Sequence, residues 1–208
     1  MNTSFPGLPL RPRLCDPQFT PSIPLIDGHL HAAVYLDDGV DERPVTEEDC
    51  KQWGTTLSAL MEVACERLRA ESSPLDWCPV DTVPGMLLLA GGDGHASNRM
   101  LIFEEMFQDL PLGGVAIVVP SQDQILAVPL SDVTQLDALH TMFSAAFHAN
   151  ATSTQPLTDQ AFWTDGKSWR HVELVHGEEE TEVEPPDDML DAIGRVASMG
   201  LVAIAGEA

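Results

Sequence analysis

His29 and His31 alternate along Ile26-Asp27-Gly28-His29-Leu30-His31. In an extended strand that spacing sends both imidazoles to one side, where both could reach one metal ion. A catalytic β/α barrel built on such a pair needs about 250 residues and further ligands at successive strand ends. His140, His148, His171 and His176 fall instead on segments that read as helix and hairpin. No metal and no cofactor are therefore expected, and the pair reads as two histidines on the solvent side of an edge strand. The second constellation is Gly91-Gly92-Asp93-Gly94-His95-Ala96-Ser97-Asn98-Arg99. A glycine turn before a helix N-terminus presents unpaired N–H groups to an anion, and Arg99 could add a bidentate contact. Asp93 and His95 have the makings of an acid–base pair. The string fits neither the Walker nor the dinucleotide pattern, Asp93 at the mouth repels phosphate, and no nucleophile or third group is identifiable. The plainer reading is that Ser97 caps a helix behind a glycine turn. The candidate ligand-binding residues are Asp93, Gly94, His95, Ser97 and Arg99, with Asp123 brought alongside by the sheet; no catalytic residue is assigned.

Patterning predicts the elements that must position these groups. Six prolines between Pro6 and Pro24 predict an extended arm. A strand is expected over Leu30 to Leu36, ended by a turn at Asp37-Asp38-Gly39. Thr46-Glu47-Glu48-Asp49 carries a capping hydroxyl and first-turn acids, the signature of a helix start, and Gly54 interrupts before Thr55 or Thr56 restarts. Leu57, Leu60, Met61, Ala64 and Leu68 then recur on one helical face. Met86 to Ala90 reads as a buried strand, and a helix after the glycine loop should carry Met100, Phe103, Phe107 and Leu110. Val115 to Val119 and Ile125 to Leu130 suggest a hairpin with a five-residue loop. Ser131 or Asp132 caps a helix with a stripe of Leu136, Leu139, Phe143 and Phe147. Phe162 to Thr164 and Trp169 to Val175 suggest a second hairpin around Asp165-Gly166, with Trp163 and Trp169 stacked across it, packed in the core or exposed as an anchor. Glu178 to Pro186 reads as a solvated connector, followed by a helix from Asp187 to about Met199 and an apolar tail that adds a strand. The sum is an α+β domain with a mostly antiparallel sheet and helices packed against it.

Charge excludes whole classes of function. The 208 residues hold 33 acids against 10 Lys and Arg, a formal charge of −23, and no cation lies between Met100 and Gly166. Binding phosphates takes clustered cations, so nucleic acid is excluded as a partner, and anionic membranes are disfavoured for the same reason. A basic protein partner is favoured by long-range attraction. Cys15, Cys50, Cys65 and Cys78 are dispersed without a CxxC pair, which argues against a zinc ribbon or a dense disulfide framework and for free, packed thiols. The first residues lack a basic stretch before an apolar run, and no apolar stretch approaches the ~20 residues of a spanning helix. A cytoplasmic location is expected.

Three segments together resemble the YtpQ-like family of bacterial proteins of unknown function. They are Val45-Thr46-Glu47-Glu48-Asp49 with Trp53-Gly54; Gly94-His95-Ala96-Ser97-Asn98-Arg99-Met100-Leu101; and Val118-Val119-Pro120-Ser121-Gln122-Asp123 leading to Ile125-Leu126-Ala127-Val128-Pro129-Leu130. The middle segment resembles that family's Ala-Ser-x-Arg helix start and the last its Val-Pro-x-x-Asp turn, with Gln122 where a basic residue is usual. The resemblance covers about residues 28–150. It implies an α+β domain and no activity, cofactor or catalytic residue.

Three regions follow: an extended arm over 1–27, an α+β domain over 28–150, and a C-terminal hairpin, acidic loop and helix over 151–208 packed on that domain. The favoured function is a non-enzymatic binding or regulatory protein of a bacterial cytoplasm, with an immunity protein against a basic toxin or effector as the specific case. Trp163, Trp169, Glu178, Glu179 and Glu180 are its candidate partner-binding residues. The rival is a small hydrolase or nucleotide-handling enzyme centred on Asp93, His95, Ser97 and Arg99, with Asp123 or His31 alongside. A third reading assigns the acidity to a high-salt habitat.

Overall fold

The computed structural model describes residues 8–37, 40–72, 77–90, 95–103, 107, 109–177 and 181–206. The chain divides into two compact units, Met1–Pro74 with Asn98–Ile102, and Leu75–Ser97 with Phe103–Ala208. The fold is α+β, built on antiparallel sheets of four and seven strands.

In the first unit β1 (Leu10–Cys15), β2 (Ile23–Ile26) and β4 (Glu42–Pro44) all pair with the central β3 (Leu30–Asp37). The expected extended arm is thus corrected, because its described part supplies two strands. Pro12 is accommodated because β1 is an edge strand, where a missing N–H costs no ladder bond. β1 and β3 run in unbroken register from Leu10 opposite Leu36 to Cys15 opposite His31. Helix α1 (Glu47–Trp53) starts on a full capping box between Thr46 and Asp49 and stops at Gly54 in the left-handed region, φ 62°. Thr56 caps α2 (Leu57–Glu71) by accepting the Ala59 N–H. Leu60, Ala64, Cys65 and Leu68 form the buried face of α2. Leu60 and Ala64 join Leu10, Val34 and Val45 in one apolar cluster, and Cys65 and Leu68 join Ile102 in another.

The second unit holds β5 (Cys78–Pro79), β6 (Leu87–Ala90), β7 (Val115–Ser121), β8 (Gln124–Pro129), β9 (Ala161–Thr164), β10 (Trp169–His176) and β11 (Thr181–Glu184), in the spatial order β11-β10-β9-β7-β8-β6-β5. β7 is central and buried along its whole length, which is why it reads as a continuous apolar run instead of an alternation. Helix α3 (Leu136–Thr152) covers it with Ala138, Leu139, Met142, Phe143 and Ala146. The expected stripe is rotated, since Leu136 and Phe147 are exposed while the alanines face the core, where a small side chain allows close approach of helix to sheet. The β7–β8 hairpin turns on Gln122-Asp123 alone, tightened by a bulge, so the five-residue loop is also corrected.

Three further expectations give way. The segment after the glycine loop opens as a seven-residue 3-10 helix, Ala96–Ile102, and Phe107 and Leu110, expected on an α-helix, are non-helical. Part of the supposed acidic connector is β11, which pairs with β10. The apolar tail continues helix α4 (Asp187–Gly206) instead of adding a strand, because no turn signal separates it from the helix. Among the described residues no helix is long and apolar enough to cross a membrane.

Candidate functional site

Of the residues proposed for a ligand at the glycine loop, Ser97 is the one whose bonds tie it to the fold. Asp93 and Gly94 lie outside the described residues. Ser97 is fully buried; its N–H donates to the Gln122 carbonyl at 3.0 Å and its hydroxyl to the Gln122 side-chain oxygen at 3.2 Å. The Gln122 N–H in turn donates to the Gln155 carbonyl at 3.1 Å. A hydroxyl held this way pins the β7–β8 turn, with Gln122 supplying the acceptor. Asp123 is half-buried in that turn, its N–H on the Ser121 hydroxyl at 3.3 Å. His95 and Ser97 belong to the second unit, while Arg99 belongs to the first and is 8% exposed. Asn98, which the sequence reading passed over, is buried and accepts the Leu14 N–H at 2.9 Å.

The histidine pair is corrected as well. His29 sits in the β2–β3 turn, its N–H donating to the Ile26 carbonyl, and His31 lies on the central strand, not an edge. The single Ser22 hydroxyl proton goes to the Phe19 carbonyl at 2.6 Å, so the 2.9 Å contact between Ser22 and His31 Nδ1 is donated by the imidazole. Among the described residues no group of three or more His, Cys, Asp or Glu could hold a metal. None of the four cysteines is in a disulfide. Burial first, then the neighbouring Asp16 charge, pushes the Cys15 thiol up to about 11, which keeps it protonated and unreactive at neutral pH.

No family model, curated protein or solved structure matches the chain.

Trp163 is only 2% exposed, donating its indole N–H to the Gly113 carbonyl at 2.8 Å, so it is core and not an anchor. Trp169 faces the other side of the sheet, because Arg170, not Trp169, stands opposite Trp163; it is half-buried against Phe103, ring centroids 4.8 Å apart. The two indoles do not stack. Glu178, Glu179 and Glu180 lie outside the described residues. The acids that are described beside them are Glu173 on β10 and Glu182 and Glu184 on β11, exposed with Val175 on one open face while Leu174 and Val183 turn to the core. Glu173 stands directly opposite Glu184, and Val175 opposite Glu182. The sequence marked this stretch as acidic but, read as a loop, it offered no strand to align the acids.

Six cations are engaged in ion pairs among the described residues. Arg11 pairs with Asp37 at 2.6 Å and with Glu71, Arg13 with Glu42, Arg43 with Asp49, Arg67 with Glu71, Lys167 with Asp165, and Arg170 with Asp188. A further concavity on the second unit, a groove of about 590 Å³, is lined by Leu112, Leu190, Asp191, Gly194, Arg195, Ser198 and Met199.

Proposed function

We propose that the protein is a non-enzymatic binding or regulatory protein of a bacterial cytoplasm that captures a basic protein, as an immunity protein captures a toxin or effector. The reading is supported above all by the Glu173–Glu184 register on the open face of β10 and β11. Like charges directly opposite each other destabilise a sheet, and the only cation on these two strands, Arg170, is held by Asp188. A cation from a partner inserted between the two carboxylates relieves that repulsion, and Val175 beside them supplies apolar contact. Carboxylates aligned in this way accelerate encounter with a basic surface and make it salt-sensitive. The resemblance to the YtpQ-like family adds no activity that competes with this reading.

The test uses two readouts of opposite sign. Glu184→Lys should raise folding stability by about 0.5 kcal/mol in urea titration, because it turns a like pair into an opposite one. The double variant Glu173→Lys with Glu184→Lys should lose the basic proteins that the wild-type chain retains from host extract at low salt and releases at high salt. Retention of the same proteins by the double variant, or of proteins that are not basic, overturns the proposal.

A further inference from the structure

We infer that the groove along α4 is where a second copy of this chain docks, the two α4 helices lying antiparallel about a two-fold axis beside Gly194. The inference stands apart from the capture of a basic partner, since it uses a different face and a different charge pattern.

Helix α4 buries Met189, Ala192 and Val196 against its own unit and leaves Leu190 and Met199 exposed at the two margins of the groove. Leu190 is 50% exposed, Met199 62%, and Leu112 across the groove 50%. Glycine inside a helix costs stability, and at Gly194 nothing among the described residues requires it: a Cβ placed there would meet none of their atoms within 4 Å. What the missing side chain leaves is a notch on the outer face. Ser198, one turn on, is also small and folds its hydroxyl back to the Gly194 carbonyl at 2.8 Å, so the notch extends along the helix. A surface of that form fits the backbone of another helix.

The rim decides which helix. Asp191 and Arg195 lie four residues apart on this face, one charge of each sign in a molecule whose formal charge is −23. Arg195 is exposed and makes no ion pair among the described residues. In an isologous antiparallel pair, residue i meets j and j meets i. A two-fold axis beside Gly194 therefore sets Asp191 against Arg195 of the second copy, and Arg195 against its Asp191. This patch is locally neutral and self-complementary, which a contact between two strongly anionic chains needs. A foreign basic helix would meet Arg195, and a foreign acidic one would meet the field of the whole chain.

Sedimentation equilibrium of the full chain over rising concentration tests this, in about 0.15 M salt, where the Debye length is about 8 Å. The wild-type chain should self-associate to a dimer. Asp191→Arg alone and Arg195→Asp alone should each weaken dimerisation about tenfold or more, because each creates two like-charge contacts per dimer. An equimolar mixture of the two variants should dimerise again, since one chain then offers two arginines and the other two aspartates at the matching positions. Circular dichroism of both variants, expected to match the wild type, checks that they fold. A monomer at every concentration, reversals without effect, or a mixture that stays monomeric overturns the inference. So does a chain that remains monomeric and binds a Lys/Leu amphipathic helical peptide in this groove.

Discussion

The indole of Trp163 and the backbone of Gly113-Gly114 depend on each other. Gly114 holds φ 75°, and a Cβ there would run into the Thr164 carbonyl and come within 2.7 Å of the Trp163 indole nitrogen. The missing side chain is what lets the loop before β7 lie flat on the ring, and that approach in turn brings the Gly113 carbonyl onto the indole N–H at 2.8 Å. Trp163→Phe keeps the ring apolar but leaves this buried carbonyl unpartnered. The expected cost is about 1–3 kcal/mol, seen as a lower urea midpoint with an unchanged slope. A loss within about 0.5 kcal/mol would mean that water reaches the carbonyl and that the site is not closed. Either result is independent of partner binding, since the side chain offers a partner no surface. Composition alone could not separate Trp163 from Trp169: each flanks the same turn, and only the register, which puts them on opposite faces, makes one core and the other half-open.

Element boundaries were legible wherever a local chemical signal set them. Thr46, Asp49, Gly54 and Thr56 mark α1 and α2 to the residue, because caps and the left-handed stop are satisfied within a few residues of chain. The face of α3 was not legible, since its phase is set by what β7 presents and not by its own largest side chains. For the same reason the polar string from Ser97 to Arg99 looked chemical: sequence cannot show that the Ser97 hydroxyl is spent on Gln122, which is distant in the chain. Helix α1 gives the prediction at this scale. The Arg43 guanidinium first, and the Thr46 N–H next, hold the Asp49 carboxyl well below the usual carboxylate range. A folded-state value below the unfolded one stabilises fully above about pH 4, the unfolded value, and that stability is lost as pH falls toward the folded one. Asp49→Asn should therefore cost about 1 kcal/mol at neutral pH, chiefly through the capping box, and the difference from wild type in urea midpoint should shrink as the pH is lowered below about 4. A gap that stays constant with pH would show that the carboxylate charge contributes nothing there.

Across the whole molecule two electrostatic effects compete, and salt separates them. Arg11, Arg13, Arg43, Arg67, Lys167 and Arg170 are held in ion pairs at the surface, and pairs of that kind each contribute little and weaken as salt is added. Against them stands the mutual repulsion of a formal charge of −23, which grows with every uncompensated carboxylate and is also screened by salt. The pairs are few and local while the repulsion is summed over all the acids, so screening should stabilise the fold on balance. The thermal midpoint is expected to rise as sodium chloride goes from about 10 mM, where the Debye length is about 30 Å, and to level off by a few hundred millimolar, where it falls below the spacing of neighbouring surface charges. Sucrose at matched osmolarity should not reproduce the low-salt part of that rise, which separates screening from general exclusion of solute. A midpoint that falls with salt would mean that the ion pairs outweigh the repulsion. One that keeps climbing into molar salt would require more than screening and would favour the reading in which the acidity reflects a saline habitat, leaving Glu173 and Glu184 part of a general solvation strategy and not an arranged pair.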